Sequence, residues 1–199
     1  MLDFILPLFG FAVVGSITPG PNNFMLASSG LNFGFRRTVP HLLGVALGFP
    51  LMVLLVGLGL AELFTASPLL HLVLKWLGVL YLAYLAFRIA TAPPVAAEGK
   101  AMAKPLRFLE AVAFQWINPK AWILAVGAIA TYSTMNGRDF GEIAVMAAIF
   151  LVAGMPSAIL WAGFGTLVRR WLSEPGHVRA FNLTMAAALL ASIVPILLE

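Results

Sequence analysis

The sequence predicts an all-α integral membrane protein with six transmembrane helices, arranged as two inverted three-helix repeats. Hydrophobic residues make up 61% of the 199 residues and charged residues only 10%, whereas a soluble domain carries about 25% charged residues. The apolar residues form six stretches of about the 20 residues that a membrane-spanning helix needs. Gly/Pro motifs also recur with the same spacing in both halves of the chain.

The six predicted spans fill a single membrane domain, residues 1–199. Repeat one covers about 1–92 and repeat two about 104–199, with a cytoplasmic linker at about 91–105. The first, fourth and fifth spans are long enough to tilt or to include a break. In chain order, the predicted spans are 3–32, 41–61, 68–90, 106–133, 140–168 and 178–198.

The first span contains the run Thr18-Pro19-Gly20-Pro21-Asn22-Asn23 between apolar residues. Two prolines and a glycine cannot continue a helix, because proline lacks an N–H donor and clashes with the preceding turn. A lipid bilayer tolerates the unpaired backbone groups of such a break only where protein or a water-filled cavity surrounds them. The run therefore predicts a helix break that forms part of a binding site near the membrane midplane.

The fourth span carries a second break, with Gln115, Asn118, Pro119 and Lys120. A lysine near the middle of a span costs about 2.5–3.5 kcal/mol on insertion scales and usually faces the protein interior and a partner. Lys120 lies in the first turn after the break, beside the positive end of a half-helix, and both charges favour an anion such as a carboxylate. The alternative is that Lys120 extends to the membrane interface or pairs only with backbone carbonyls.

Together the two breaks suit a zwitterionic amino acid. The half-helix that ends near Thr18 presents carbonyls, which attract an ammonium group, and the half-helix that begins at Pro21 presents N–H groups, which attract a carboxylate. Asn22 and Asn23 add uncharged donors and acceptors. A purely structural kink in the first span is the alternative.

The second and fifth spans share a motif. Gly48-x-Pro50 followed by Gly57-x-Gly59 has the same spacing as Gly154-x-Pro156 followed by Gly163-x-Gly165. Since each repeat has three spans, the second would be inverted relative to the first, which is typical of transporters. Shared membrane composition is the alternative explanation, and the paired glycines favour close helix packing over ligand contact.

Three further side chains are candidates for coupling transport to an ion. Lys75 lies in the third span and could pair with Glu62 or extend to the interface. Glu110 lies near Arg107, so either a surface ion pair or a proton carrier would fit. His41 begins the second span, where it could relay protons or simply lie at the interface.

The loop charges predict the orientation. Cytoplasmic loops are enriched in Lys and Arg, so we expect connections one, three and five in the cytoplasm and both termini outside. The fourth connection holds only Arg138, and the second holds neither residue type. The basic residues of the three predicted cytoplasmic connections are Arg36 and Arg37; Arg88, Lys100, Lys104 and Arg107; and Arg169, Arg170 and Arg179.

Several classes of function are disfavoured. The spans contain no zinc-protease, serine-hydrolase or phosphate-loop motif, and no acidic pair lies inside a span. The chain has no cysteine, which excludes disulfides and thiol catalysis. We therefore expect neither an enzyme nor a bound cofactor or metal, and the basic residues form no patch for nucleic acid outside the short loops.

The motifs that bear a family resemblance are Thr18-Pro19-Gly20-Pro21-Asn22, Gly34-Phe35-Arg36, Gly44 with Gly48, Lys75-x-x-Gly78-x-x-Tyr81-Leu82 and Asn118-Pro119-Lys120-Ala121. Across essentially the whole chain they resemble the LysE/RhtB family of bacterial amino-acid exporters. The Pro-Asn-Asn ending and the run from Arg88 to Pro93 are most similar to its cysteine/O-acetylserine subgroup. Ala111, Gln115 and Met185 depart from the family pattern, which affects the substrate more than the architecture.

The resemblance implies export of small amino acids or their derivatives across the bacterial inner membrane, with protons as the exchanged ion. Its other expected partners are membrane lipid and, as an open question, a second copy of the chain. Two alternatives remain. A passive channel could use the same paired half-helices, and a membrane scaffold would carry no substrate.

Overall fold

In the computed structural model, the described residues, 2–60, 68–92, 104–133, 139–172 and 174–198, are helical except for short connections. A π-helical turn, Val56–Leu60, extends α3, and a 3-10 turn, Gln115–Ile117, extends α5. The helices are α1 (Leu2–Ile17), α2 (Pro21–Phe33), α3 (Phe35–Leu55), α4 (Pro68–Ala90), α5 (Phe108–Phe114), α6 (Pro119–Tyr132), α7 (Phe140–Trp171), α8 (Pro175–Ala191) and α9 (Val194–Leu198).

Local sequence signals explain where these helices begin. Pro21 and Pro119 occupy the first positions of α2 and α6, where the missing N–H is harmless. The Asn118 side chain accepts a hydrogen bond from the backbone N–H of Lys120 at 3.2 Å and caps α6. Asp139 caps α7 in the same way, through the backbone N–H of Glu142 at 2.8 Å.

The structure differs from the predicted spans at the first connection. Residues 33–40 were expected to form a loop, but α3 begins at Phe35, so that only Gly34 separates it from α2. Gly34 has a φ of +78°, a left-handed conformation that glycine adopts without steric strain. Its backbone N–H donates to the carbonyl of Gly30 at 2.9 Å and closes α2.

Length and composition mark three of the helices as able to cross a membrane: Phe35–Leu60, Leu72–Ala90 and Phe140–Trp171. A fourth candidate is the pair α1 and α2, whose axes meet at 51° across residues 18–20. The helix Phe108–Ile117 is apolar but shorter. The described residues are therefore all-α, with several helices long and apolar enough to span a membrane, as predicted, and the count of six spans stays a prediction.

The long helix α7 lies at the centre of the packing, against α1, α2 and α3, while α3 also packs on α5 and α4 packs on α8. Glycines let α2 and α7 touch, because a Cβ at Gly30 would collide with the carbonyl of Ala162 and one at Gly165 with the carbonyl of Ala27. The prediction that the motif glycines serve packing is thus confirmed at Gly165.

The other three paired glycines, Gly57, Gly59 and Gly163, differ from one another. Gly57 packs closely against the Ile143 side chain, as predicted. The prediction is wrong for Gly59 and Gly163, since a Cβ at either would meet no heavy atom of the described structure within 4 Å. Gly59 instead has a φ of +109° in the π-helical turn, where only glycine is free of strain.

Candidate functional site

The end of α1 exposes carbonyl groups that have no partner within the helix. Asn23, in the first turn of α2, folds back onto them. Its Nδ2 donates to the carbonyl of Ser16 at 2.9 Å and to the carbonyl of Thr18 at 2.8 Å. One buried asparagine therefore holds the two sides of the first break together.

Two donors from α7 complete this arrangement. The Ser157 hydroxyl donates to the carbonyl of Ser16 at 2.8 Å, and the Trp161 indole donates to the carbonyl of Ile17 at 3.2 Å. Neither residue was predicted from the sequence as part of the site. The sequence feature that could have identified them is the motif Gly154-x-Pro156. Ser157 follows this motif directly, and Trp161 lies one helical turn after Ser157.

Lys120 joins the second break to the first. Its Nζ donates to the carbonyl of Thr18 at 2.6 Å, to the Thr18 hydroxyl at 2.9 Å and to the carbonyl of Pro19 at 3.3 Å. A cation beside the C-terminal end of a helix is electrostatically favourable. From the sequence, either an anionic partner or backbone carbonyls were expected for Lys120. In this structure its ammonium contacts backbone carbonyls.

Gly20 makes room for this contact. A Cβ at Gly20 would lie 2.6 Å from Cδ of Lys120 and 3.1 Å from Nζ. Its backbone is extended, with a φ of −179°, so other residues could adopt the conformation. The position therefore requires glycine because any side chain would occupy the space through which Lys120 reaches the first break.

Asn22 and Gln115 form a second link between the breaks. Nδ2 of Asn22 donates to Oε1 of Gln115 at 2.9 Å, and Nε2 of Gln115 donates back to Oδ1 of Asn22 at 3.2 Å. Gln115 is fully buried, and its Nε2 also donates to the carbonyl of Ala111 at 2.8 Å. Because both amides are held in this way, their orientation is fixed.

These contacts border a cavity, here called the break cavity, with about 540 Å³ of empty space including its open mouth. Thr18, Pro19 and Gln115 lie behind the lining residues. Thr18 and Pro19 accept hydrogen bonds from Lys120, and Gln115 is paired with Asn22. Five of the ten predicted binding residues line the cavity directly: Gly20, Asn22, Asn23, Asn118 and Lys120.

The lining combines polar and apolar groups. α3 contributes Phe49 and Pro50, and α7 contributes Phe150, Gly154 and Ser157. Lys120 is the charged group among the described lining residues, while carbonyl, amide and hydroxyl oxygens lie nearby. The cavity can therefore bind an anionic group at the lysine and a hydrogen-bond donor at the carbonyls, beside an apolar surface.

None of the three coupling candidates is among the described lining residues of this cavity. Lys75 is half-buried on α4, and its suggested partner Glu62 lies outside the described residues. Glu110 is exposed, where its carboxylate accepts from the backbone N–H of Arg107 at 2.8 Å and caps α5. His41 is buried in α3, with Nδ1 3.0 Å from the Ser29 hydroxyl. Their coupling roles stay predictions.

Comparisons with known proteins agree with the predicted resemblance. The family model described as LysE type translocator matches residues 13–195. Proteins named cysteine/O-acetylserine efflux protein, from Escherichia coli (strain K12), Shigella flexneri and Salmonella typhi, are each 30% identical over 94% of this chain and 93% of their own length. No solved structure gives a significant match. The chain therefore belongs to the LysE type translocator family and is a multi-pass membrane transporter, not an enzyme.

Proposed function

We propose that this chain exports small amino acids or their derivatives across the bacterial inner membrane, in exchange for protons and by alternating access. The names of its Escherichia coli and Salmonella relatives make O-acetylserine and cysteine the first substrates to test. The break cavity supports a zwitterionic substrate, because it combines one ammonium group with backbone carbonyls and side-chain amides.

The observation that carries the proposal is the contact between Lys120 and the end of α1. The lysine ammonium donates to two backbone carbonyls and a hydroxyl. A substrate ammonium would make the same contacts. We infer that a zwitterion inserts into this contact, with its carboxylate on Lys120 and its ammonium on the carbonyls of Thr18 and Pro19. Binding would then separate the two breaks without leaving either charge unpaired.

Helix packing supports two inverted repeats within the six proposed spans. Gly48 of α3 packs against Val112 and Gln115, beside the second break, while Gly154 of α7 faces Ser16, beside the first break. The same motif in each half thus meets the broken segment of the other half. α3 and α7 also pack on each other, as do α4 and α8. In such a pair of repeats, rocking of one against the other opens the cavity to alternate sides.

The arrangement of basic residues supports cytoplasmic connections one, three and five. A Cβ at Gly34, between α2 and α3, would lie 3.1 Å from Nη1 of Arg169 at the end of α7. Nη2 of Arg88, at the end of α4, donates to the carbonyl of Lys104 at 3.0 Å. We call this end of the helices the basic end, and we propose that it faces the cytoplasm, which leaves both termini outside.

Single cysteines at the two ends of α7 test this orientation, since the chain has no cysteine of its own. Phe140 and Trp171 are 63% and 80% exposed. In intact cells, a membrane-impermeant maleimide should label Phe140→Cys and should label Trp171→Cys only after permeabilisation. The reverse pattern would contradict the proposed orientation.

Transport by the purified chain in liposomes tests the function itself. With labelled O-acetyl-L-serine outside and an acidic interior, outward proton flow should drive the substrate inward to more than its external concentration. A protonophore should abolish this accumulation. Equilibration without accumulation would indicate a passive channel, and the absence of flux, with cysteine tested in the same way, would favour a scaffold.

A further inference from the structure

A second cavity opens at the basic end of the helices, between α2, α3, α4 and the segment that precedes α5. It has about 450 Å³ of empty space including its mouth. Its polar and charged lining residues are Ser28, Ser29, Asn32, His41, Arg88 and Lys104. We call it the basic cavity. Among the described residues, none lines both this cavity and the break cavity.

A buried network of amides and hydroxyls fixes one wall of the basic cavity. Nδ2 of Asn32 donates to Oδ1 of Asn182 at 2.8 Å, and Nδ2 of Asn182 donates back to Oδ1 of Asn32 at 3.0 Å. Asn32 also donates to the carbonyl of Ser28 at 2.8 Å and to its hydroxyl at 3.1 Å. This wall is therefore polar and held rigidly, as in a built binding site.

His41 also belongs to this wall, and one of its two ring nitrogens makes no hydrogen bond to the described residues. It is 1% exposed, and its Nε2 has no hydrogen-bond partner among the described residues. A buried group without a partner is unfavourable, and it marks a place where a further polar partner would be stabilising. When the Ser29 hydroxyl donates to Nδ1, the ring proton lies on Nε2, whose acceptor is not among the described residues.

The charges of the basic cavity select an anion. Arg88 and Lys104 both line it, and no acidic side chain is among its described lining residues. Among the described residues, Nη2 of Arg88 donates to the carbonyl of Lys104, and a guanidinium group carries five N–H donors in all, so that others can reach a ligand. Two cations beside a polar wall together match a carboxylate.

We propose that the basic cavity is an intake site, which binds the carboxylate of the amino-acid substrate before the substrate reaches the break cavity. This inference rests on the proposed export function. α2 joins the two cavities, because Asn22 lines the first and Ser29 the second. Seven residues of helix separate these positions by about 10 Å, a short step for a small substrate.

The test uses the full chain in liposomes, with O-acetyl-L-serine supplied on the side of the basic end. Arg88→Gln combined with Lys104→Gln should raise the half-saturating concentration at least about tenfold, since even one charge-assisted hydrogen bond to the carboxylate contributes about that factor. The maximal rate should change less than twofold. Arg179→Gln, which removes an exposed charge of α8, is the matched control and should change neither value.

Two further measurements keep the result interpretable. If the double variant does not fold, Lys104→Gln alone, at an exposed position, decides the outcome, with an expected rise of at least about threefold. The decarboxylated analogue O-acetylethanolamine should compete with O-acetyl-L-serine equally weakly in the wild type and in the variant, because it lacks the group that the cavity binds.

The outcomes separate the two proposals. If the wild type transports O-acetyl-L-serine and both charge variants keep its half-saturating concentration, the intake site is overturned and the exporter stands. If the analogue competes as strongly as the substrate, the carboxylate assignment is overturned. If the wild type moves neither O-acetyl-L-serine nor cysteine, the proposed function fails first, and the intake site fails with it.

Discussion

Lys120→Ala should abolish measurable export of O-acetyl-L-serine while the protein still inserts and folds. The substitution removes the cation that lines the break cavity and that reaches the carbonyls of Thr18 and Pro19. A hydrogen bond to a charged group contributes about 1.5–3 kcal/mol, so we expect at least a tenfold to hundredfold loss of transport efficiency. Transport into liposomes, normalised to the amount of folded protein, measures the effect.

The fold should survive because other donors hold the first break. Asn23 still donates to the carbonyl of Thr18, and Trp161 still donates to the carbonyl of Ile17. Ile123→Ala is the matched control, since Ile123 lies on the same helix and is 67% exposed. It should transport like the wild type. Equal efflux from Lys120→Ala and wild-type protein would remove the lysine from the site.

Lys120→Met separates the role of the charge from that of the side-chain stem. Methionine keeps an unbranched chain of similar length above Gly20, where the lysine stem now packs. If Lys120 serves only to fill this space, Lys120→Met should transport normally. We expect it to fail like Lys120→Ala, because the proposed site binds the substrate carboxylate through the ammonium group.

Much of the candidate site could be predicted from local sequence. Two prolines around a glycine predicted the break at residues 18–23, and Asn118-Pro119 predicted the one at 118–120. Single prolines at positions 50 and 156 lie inside α3 and α7, so the density of helix-breaking residues matters more than one proline. The immediate partner of Lys120 could not be predicted in the same way. A substrate carboxylate and backbone carbonyls both satisfy an ammonium group, and only the three-dimensional distance between Nζ and Thr18 distinguishes them.

The hydrogen bonds between helices that are distant in sequence could not be predicted. Ser157 and Trp161 cap the end of α1, but their role depends on which face of α7 turns toward the first break. The pair of Asn32 and Asn182 likewise joins residues 150 positions apart. Composition identifies such residues as polar groups in apolar segments, whereas their partners follow from helix packing, which no local pattern specifies.

The first connection was mispredicted for a related reason. Arg36 and Arg37 mark the end of an apolar stretch, which favoured a loop, yet both lie in the first turn of α3. A glycine in the left-handed conformation turns the chain at a single residue, so no loop is needed. The charges still identify the basic end of the helices, although they are carried by a helix.

Gly165→Val should destabilise the protein strongly, whereas Gly163→Val should not. A Cβ at Gly165 would collide with the backbone carbonyl of Ala27, at the contact between α2 and α7. A backbone cannot move aside as a side chain does, so we expect a loss of about 3 kcal/mol. For a chain of this size, that corresponds to a fall of about 6–12 °C in the melting temperature of the purified protein.

Gly163 provides a matched control two residues away on the same helix. A Cβ there would meet no heavy atom of the described structure within 4 Å, so Gly163→Val carries the same change in helix propensity without the collision. The difference between the two variants therefore isolates the close approach of α2 and α7. Because α2 carries Asn22 and Asn23 into the break cavity, Gly165→Val should also reduce transport per folded molecule. Equal melting temperatures for the two variants would mean that α2 and α7 do not pack through Gly165.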